Sequence, residues 1–162
     1  MGVDPGLGIT GYGILDCNGE EFTVVEAGVV KTNAKAPIEM RLQEIATEIQ
    51  AIVNQFNPEA VAVEELYSHY GHPKTAIIMG HARGIVFLKA AEAGLPVYPY
   101  ASTRIKKSLT GNGRAPKQQM QLMIRSTLGL TEVPEPPDVA DALAVALCHG
   151  RMLLHNHEVA SL

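Results

Sequence analysis

Four carboxylates carry the chemistry that these 162 residues offer. Asp4 closes a short apolar run and is followed at once by Pro5-Gly6. Proline and glycine stop a strand there, so the carboxylate is expected at a strand's carboxyl end, beside a turn. Glu64 ends a second apolar run, Ala60-Val61-Ala62-Val63. Asp138 and Asp141 open a helix, and a spacing of three puts both on one face. Taken singly, each has an ordinary use: Asp4 as a turn cap, the aspartates as helix caps that suit the dipole. Brought together, they cannot all stay ionised without cations. Oxygen-only ligands suit Mg²⁺ or Mn²⁺, which keep several waters and take up phosphate oxygens. Two such ions about 3.5–4 Å apart would activate water and stabilise the leaving oxygen in phosphodiester hydrolysis.

The elements that must position these groups follow from pattern. After Asp4, Ile9 to Leu15 carries glycines at alternate places, and Glu21 to Thr32 is rich in β-branched residues; with the first strand they form an antiparallel meander of three. Gly6, Gly8, Gly11 and Gly13 strip side chains from the neighbouring surface and permit close approach by another backbone or a phosphate. Leu42, Ile45, Ile49, Ile52, Val53 and Phe56 recur at helical spacing, with Pro37 in the first turn and Asn57-Pro58 as the stop. The buried run into Glu64 is then parallel to a strand already in the sheet. If that partner is the first strand, Glu64 reaches the same sheet end as Asp4.

A long helix is expected from Lys74 to Ala93, capped by Gly94 and apolar on more than one face, so buried on both sides or used in a subunit contact. A strand over 96–100, a helix over 102–109, another from Pro116 to about Leu128 and a proline-rich connector lead to the last helix, from Asp138 through Leu154. The ladder Ala140, Ala142, Ala144 and Ala146 marks a helix that packs tightly. Residues 1–154 are expected to form one domain and 155–162 an unpatterned tail.

Composition narrows the class. A hydrophobic share of 46% fits a folded core. No apolar run approaches the roughly 20 residues that span a bilayer, and no signal-peptide pattern opens the chain, so a cytoplasmic protein is expected. Cys17 and Cys148 have no metal-ligand spacing and read as reduced core thiols. The net charge of −4 hides an asymmetry: Leu66 to Thr131 holds nine basic residues and one acid, and four bases and 16 acids make up the rest. A basic face beside a metal-dependent hydrolytic site points to a nuclease.

Val3-Asp4-Pro5-Gly6, Thr10-Gly11-Tyr12-Gly13, Ala62-Val63-Glu64-Glu65, Gly80-His81-Ala82-Arg83-Gly84 and Asp138-Val139-Ala140-Asp141-Ala142-Leu143-Ala144 together resemble the RuvC-type Holliday junction resolvases, in order from Gly2 to about His149. The resemblance implies an α/β, ribonuclease-H-like mixed sheet flanked by helices. It also implies a homodimer that cuts four-way DNA junctions by paired symmetric nicks in recombination and repair, working with a branch-migration motor of the RuvA and RuvB type. It gives Asp4, Glu64, Asp138 and Asp141 the metal-binding catalytic role and aims Lys106 and Lys117 at DNA near the cut. Tyr67 takes a place where the family often has phenylalanine wedged against bases; tyrosine keeps the stacking face and adds a hydroxyl. The helix from Lys74 becomes the dimer interface. Family members usually carry a few apolar residues before this first motif. Only three residues precede Asp4 here, so a weakened central strand is expected.

Three other readings compete. The start also resembles the phosphate loop of actin-like kinases, which need two related lobes where this chain has no internal repeat. A relative of the same fold could act on RNA or other branched DNA. A junction binder without cleavage is disfavoured by four carboxylates beside phosphates. His69, His72 and His81 are bystanders or assisting acids.

Overall fold

The computed structural model describes residues 1–66 and 73–160. Five strands form one sheet in the order β3-β2-β1-β4-β5: β1 Gly2–Asp4, β2 Ile9–Asn18, β3 Glu21–Lys31, β4 Val61–Glu64 and β5 Val97–Tyr100. The first three pair antiparallel, as the meander predicts, while β4 runs parallel to both β1 and β5. Helices α1 (Ile38–Phe56) and α2 (Pro73–Glu92) cover one face. The other face carries α3 (Ser102–Thr110), α4 (Lys117–Thr127) and α5 (Pro137–Ala160).

Side chains on a strand alternate between faces, and the central strands use this to separate packing from chemistry. Val3, Val61 and Val63 are fully or almost fully buried against Val86 and Ala90 of α2. Each such side chain stabilises the fold by about 1.5–3 kcal/mol. Gly2, Asp4, Ala62 and Glu64 therefore share the opposite face, towards α5. β1 is only three residues long and is bonded on both edges, antiparallel to β2 and parallel to β4.

Glycines let α5 lie directly on the sheet. A Cβ on Gly2 would collide with the backbone of Ala142 and Ala146, one on Gly11 with the carbonyl of Asp138, and one on Gly13 with Leu143. Of the glycines expected to permit close approach, Gly11 is met by the α5 backbone and Gly13 by Leu143 of α5. Gly6 instead faces the Ile9 carbonyl of its own turn, and Gly8 has only the Arg41 guanidinium, at 3.8 Å.

Several local expectations change. Pro37 and Pro116 stand just before their helices, not in the first turn: each has extended ψ, 150° and 157°. Asn57 ends α1 in the left-handed conformation, and its N–H bonds to the Val53 carbonyl. Cys148 is buried as expected, but Cys17 is exposed, at the end of β2 where its sulfur lies beside Gly150 of α5. Helix α5 continues six residues past Leu154, to Ala160, through a stretch with no proline or glycine to stop it. Helix α2 is buried on one face only: Ala82, Val86 and Ala90 are covered, whereas Ile77 is 62% and Leu88 50% exposed.

Candidate active site

Parallel pairing fixes the first two acids. Val3 stands opposite Val63 in the β1–β4 register, so Asp4 and Glu64 leave adjacent strands side by side at the same sheet end. The turn after Asp4 is clasped by the wholly buried Thr10, whose hydroxyl donates to the Gly6 carbonyl at 2.8 Å. Arg41 of α1 secures the next loop, donating from Nε to Thr32 Oγ1 and from Nη2 to the Leu7 carbonyl. The second pair arrives from above. Gly11 is the β2 residue opposite Asp4, and the carbonyl of Asp138 sits where its Cβ would be, so the first turn of α5 is lowered onto the sheet next to Asp4.

Asp4, Glu64 and Asp141 line one cleft of about 400 Å³, with Pro5, Glu65, Leu66, Ser102 and three α2 residues, Thr75, Ala76 and Met79. Burial, then the nearby carboxylates Asp141, Glu64 and Asp138, push the Asp4 carboxyl up to about 7, and Lys117 only partly opposes them. Burial raises Glu64 as well; the Ser102 hydroxyl, Lys106 and Lys117 counter it, while Asp141 reinforces it. Lys117 Nζ lies 2.8 Å from Asp141 Oδ2.

The structure brings together all four acids named from sequence, together with Lys106 and Lys117. The basic stretch does not act as one face: Lys89 pairs with Glu92 on α2, and the Arg83 guanidinium lies 4.3 Å above the Phe87 ring. His81 is exposed on α2. Tyr67, His69 and His72 lie outside the described residues. Ser102 is the residue that pattern alone does not single out. Its signal was register: Glu64 pairs with Tyr100, so the start of α3 lies beside Glu64.

The family model described as crossover junction endodeoxyribonuclease RuvC matches residues 1–149. This chain belongs to the RuvC family. The Rhodopirellula baltica enzyme of that name is 47% identical over 156 residues, covering 96% of this chain and 87% of the relative. The T. thermophilus RuvC, solved in complex with Holliday junction substrate, superposes with a TM-score of 0.89 at 37% identity, covering 96% of this chain and 94% of that one. A yeast mitochondrial Holliday junction resolvase shares the fold at a TM-score of 0.64 and 12% identity, over 93% of this chain and 76% of its own. The ribonuclease-H-like architecture expected from the resemblance is thus the observed one, and the RuvC family is one of nucleases that use a divalent cation.

The residues of this RuvC-family chain fit such a cation. Their donors are oxygens, and the Asp4 carboxyl is pushed up to about 7 by burial and by neighbouring carboxylates that Lys117 only partly offsets, a cost that a bound cation would relieve. Among the described residues no three acids are gathered tightly enough to grip one ion: Asp4, Glu64 and Asp141 line the cleft, and Asp138 is not part of its lining.

Proposed function

We propose that this chain is a structure-specific endodeoxyribonuclease that resolves four-way DNA junctions by paired symmetric nicks, in recombination and repair. The observation that carries this reading is the meeting of Asp4 and Glu64, from paired parallel strands, with Asp141 of α5 at one cleft, with Asp138 close enough to act on Asp4 and with Lys106 and Lys117 acting on Glu64. Asp4, Glu64, Asp138 and Asp141 are the metal-binding and catalytic residues. When bound, Mg²⁺, for which Mn²⁺ substitutes, supplies at two ions per site the Lewis acidity that activates water and stabilises the leaving oxygen.

The chain's own part is placement and charge. Clasped turn, strand register and helix start hold the carboxylates before substrate arrives, so little ordering remains for the reaction itself. Lys106 and Lys117 bring positive charge to the phosphate backbone next to the acids. Tyr67, outside the described residues, is assigned to base stacking at the crossover. The exposed stripe Ile77, His81, Gly84 and Leu88 on α2, spaced four, three and four, supports a homodimer whose two clefts serve opposite strands. No helix among the described residues is long and apolar enough to cross a membrane, and action in the cytoplasm with a RuvA- and RuvB-type motor completes the reading.

The test is gel-resolved cleavage of a synthetic four-way junction with Mg²⁺, beside linear duplex and an RNA–DNA hybrid, for the wild type and Asp4→Asn. Paired nicks on the junction, lost in Asp4→Asn while binding persists, are expected. Equal cutting of duplex or hybrid would move the substrate, and tight binding without cutting would leave a binding module.

A further inference from the structure

Two ion pairs occur among the described residues. Lys89–Glu92 joins neighbours on one helix. Lys117–Asp141 joins separate helices, across 24 residues of sequence, and its acid lines the cleft assigned to the metal. Its geometry is that of an occupied ligand: the ammonium hydrogen-bonds Asp141 Oδ2 at 2.8 Å. Its exposure is that of a movable one, with the Lys117 side chain 58% exposed and Asp141 30%. Asp138 and Asp4 lie within the same field and strengthen the hold on the proton of Lys117. Lys106 also bears on Glu64, yet no ion pair joins it to an acid among the described residues.

We infer that Lys117 is an internal counter-ion that competes with the divalent cation for Asp141. This rests on the metal reading above and deepens it. While Lys117 holds Asp141, that carboxylate has one oxygen fewer to offer, and a cation entering the cleft must displace the ammonium or bind without that ligand. A flexible, half-exposed lysine gives way readily, since such pairs are held weakly. The displaced ammonium stays at the mouth of the cleft, where a DNA phosphate is its natural partner. Phosphate binding to Lys117 and cation binding to Asp141 then favour each other, as thermodynamic linkage requires.

The test needs no catalysis. Mn²⁺ alone is titrated into the DNA-free full chain, and unbound Mn²⁺ is read by electron paramagnetic resonance. Asp141→Asn should weaken binding. Lys117→Gln should tighten it by roughly two- to fivefold, the worth of a partly exposed pair. Lys106→Gln, which removes a charge without an ion pair, should tighten it less, and Lys117→Arg should stay near the wild type. Melting curves in chelator verify that each variant folds. If the wild type binds no Mn²⁺, or Asp141→Asn binds it equally well, the metal reading of Asp141 fails. If Asp141→Asn weakens binding but Lys117→Gln leaves it unchanged or weaker, or Lys106→Gln matches Lys117→Gln, the counter-ion inference alone fails.

Discussion

Asp4 is placed where an isolated protein is worst served by a charge: buried at the end of a central strand, with three more carboxylates around it. That arrangement ties stability to pH. Its carboxyl titrates near 7 in the folded chain against 3.8 for the ordinary group, so between those values the folded state binds more protons than the unfolded one. The contribution is fully present below about pH 3.8 and is lost as pH rises through about 7. In chelator, the Asp4-dependent part of stability should therefore fall across that window, by on the order of 2–4 kcal/mol at most. Asp4→Asn should flatten the fall and melt higher than the wild type at pH 8; adding Mg²⁺ at pH 8 should raise the wild-type melting temperature and leave Asp4→Asn nearly unmoved. A wild type whose chelated stability is level from pH 4 to 8 would contradict this account. The acids themselves were legible because each sits beside a structural stop: a Pro-Gly turn, a strand end, a helix start. Ser102 and the Lys117–Asp141 bond were not, since both depend on which elements become neighbours in space.

Among the elements, α5 and the glycines of β1 and β2 form one device. Packing the helix backbone straight onto the sheet is what lowers Asp138 and Asp141 to the level of Asp4 and Glu64. Gly11 is the sensitive point, because its missing Cβ is the space that the Asp138 carbonyl fills. Gly11→Ala should cost at least about 2 kcal/mol, read by denaturant unfolding, since backbone has to move to admit the methyl. It should also lower junction cleavage at temperatures where the chain is still folded, because α5 lifts the two aspartates with it. Unaltered cleavage in a destabilised Gly11→Ala protein would separate the packing role from the site. Alternating glycines announced that something approaches closely, without saying whether it was backbone or phosphate. Element types and most limits were readable from periodicity and breakers, and the intervening helix implied that β4 is parallel to an earlier strand, while its partner, β1, is fixed only by the fold. What escaped was set by three-dimensional coverage: Cys17 lies in the exposed last residues of β2, and no local breaker marks the end of α5.

For the whole molecule, the apolar content of α2 exceeds what one chain covers. The helix buries Ala82, Val86 and Ala90 against its own sheet while exposing Ile77 and Leu88 on the other side. Gly84 lies between them, with open space where a side chain would be, which lets a second helix come close. Scattered exposed apolar residues need no explanation, but a stripe at helical spacing built round a glycine does. As a dimer seam it would also set the distance between two clefts, and that distance is what makes two nicks symmetric. Ile77→Glu and Leu88→Glu test this without touching the core, since both side chains already face solvent in the single chain. Each variant should melt close to the wild type at low concentration, where the wild type too is dissociated, yet sediment at 17.4 kDa when the wild type sediments at twice that mass. On a junction extruded from a supercoiled plasmid, paired linearising cuts should give way to single nicks, because the second cleft no longer arrives with the first. Variants that keep the dimeric mass and the paired cuts would move the interface elsewhere on the molecule and leave the α2 stripe without an occupant.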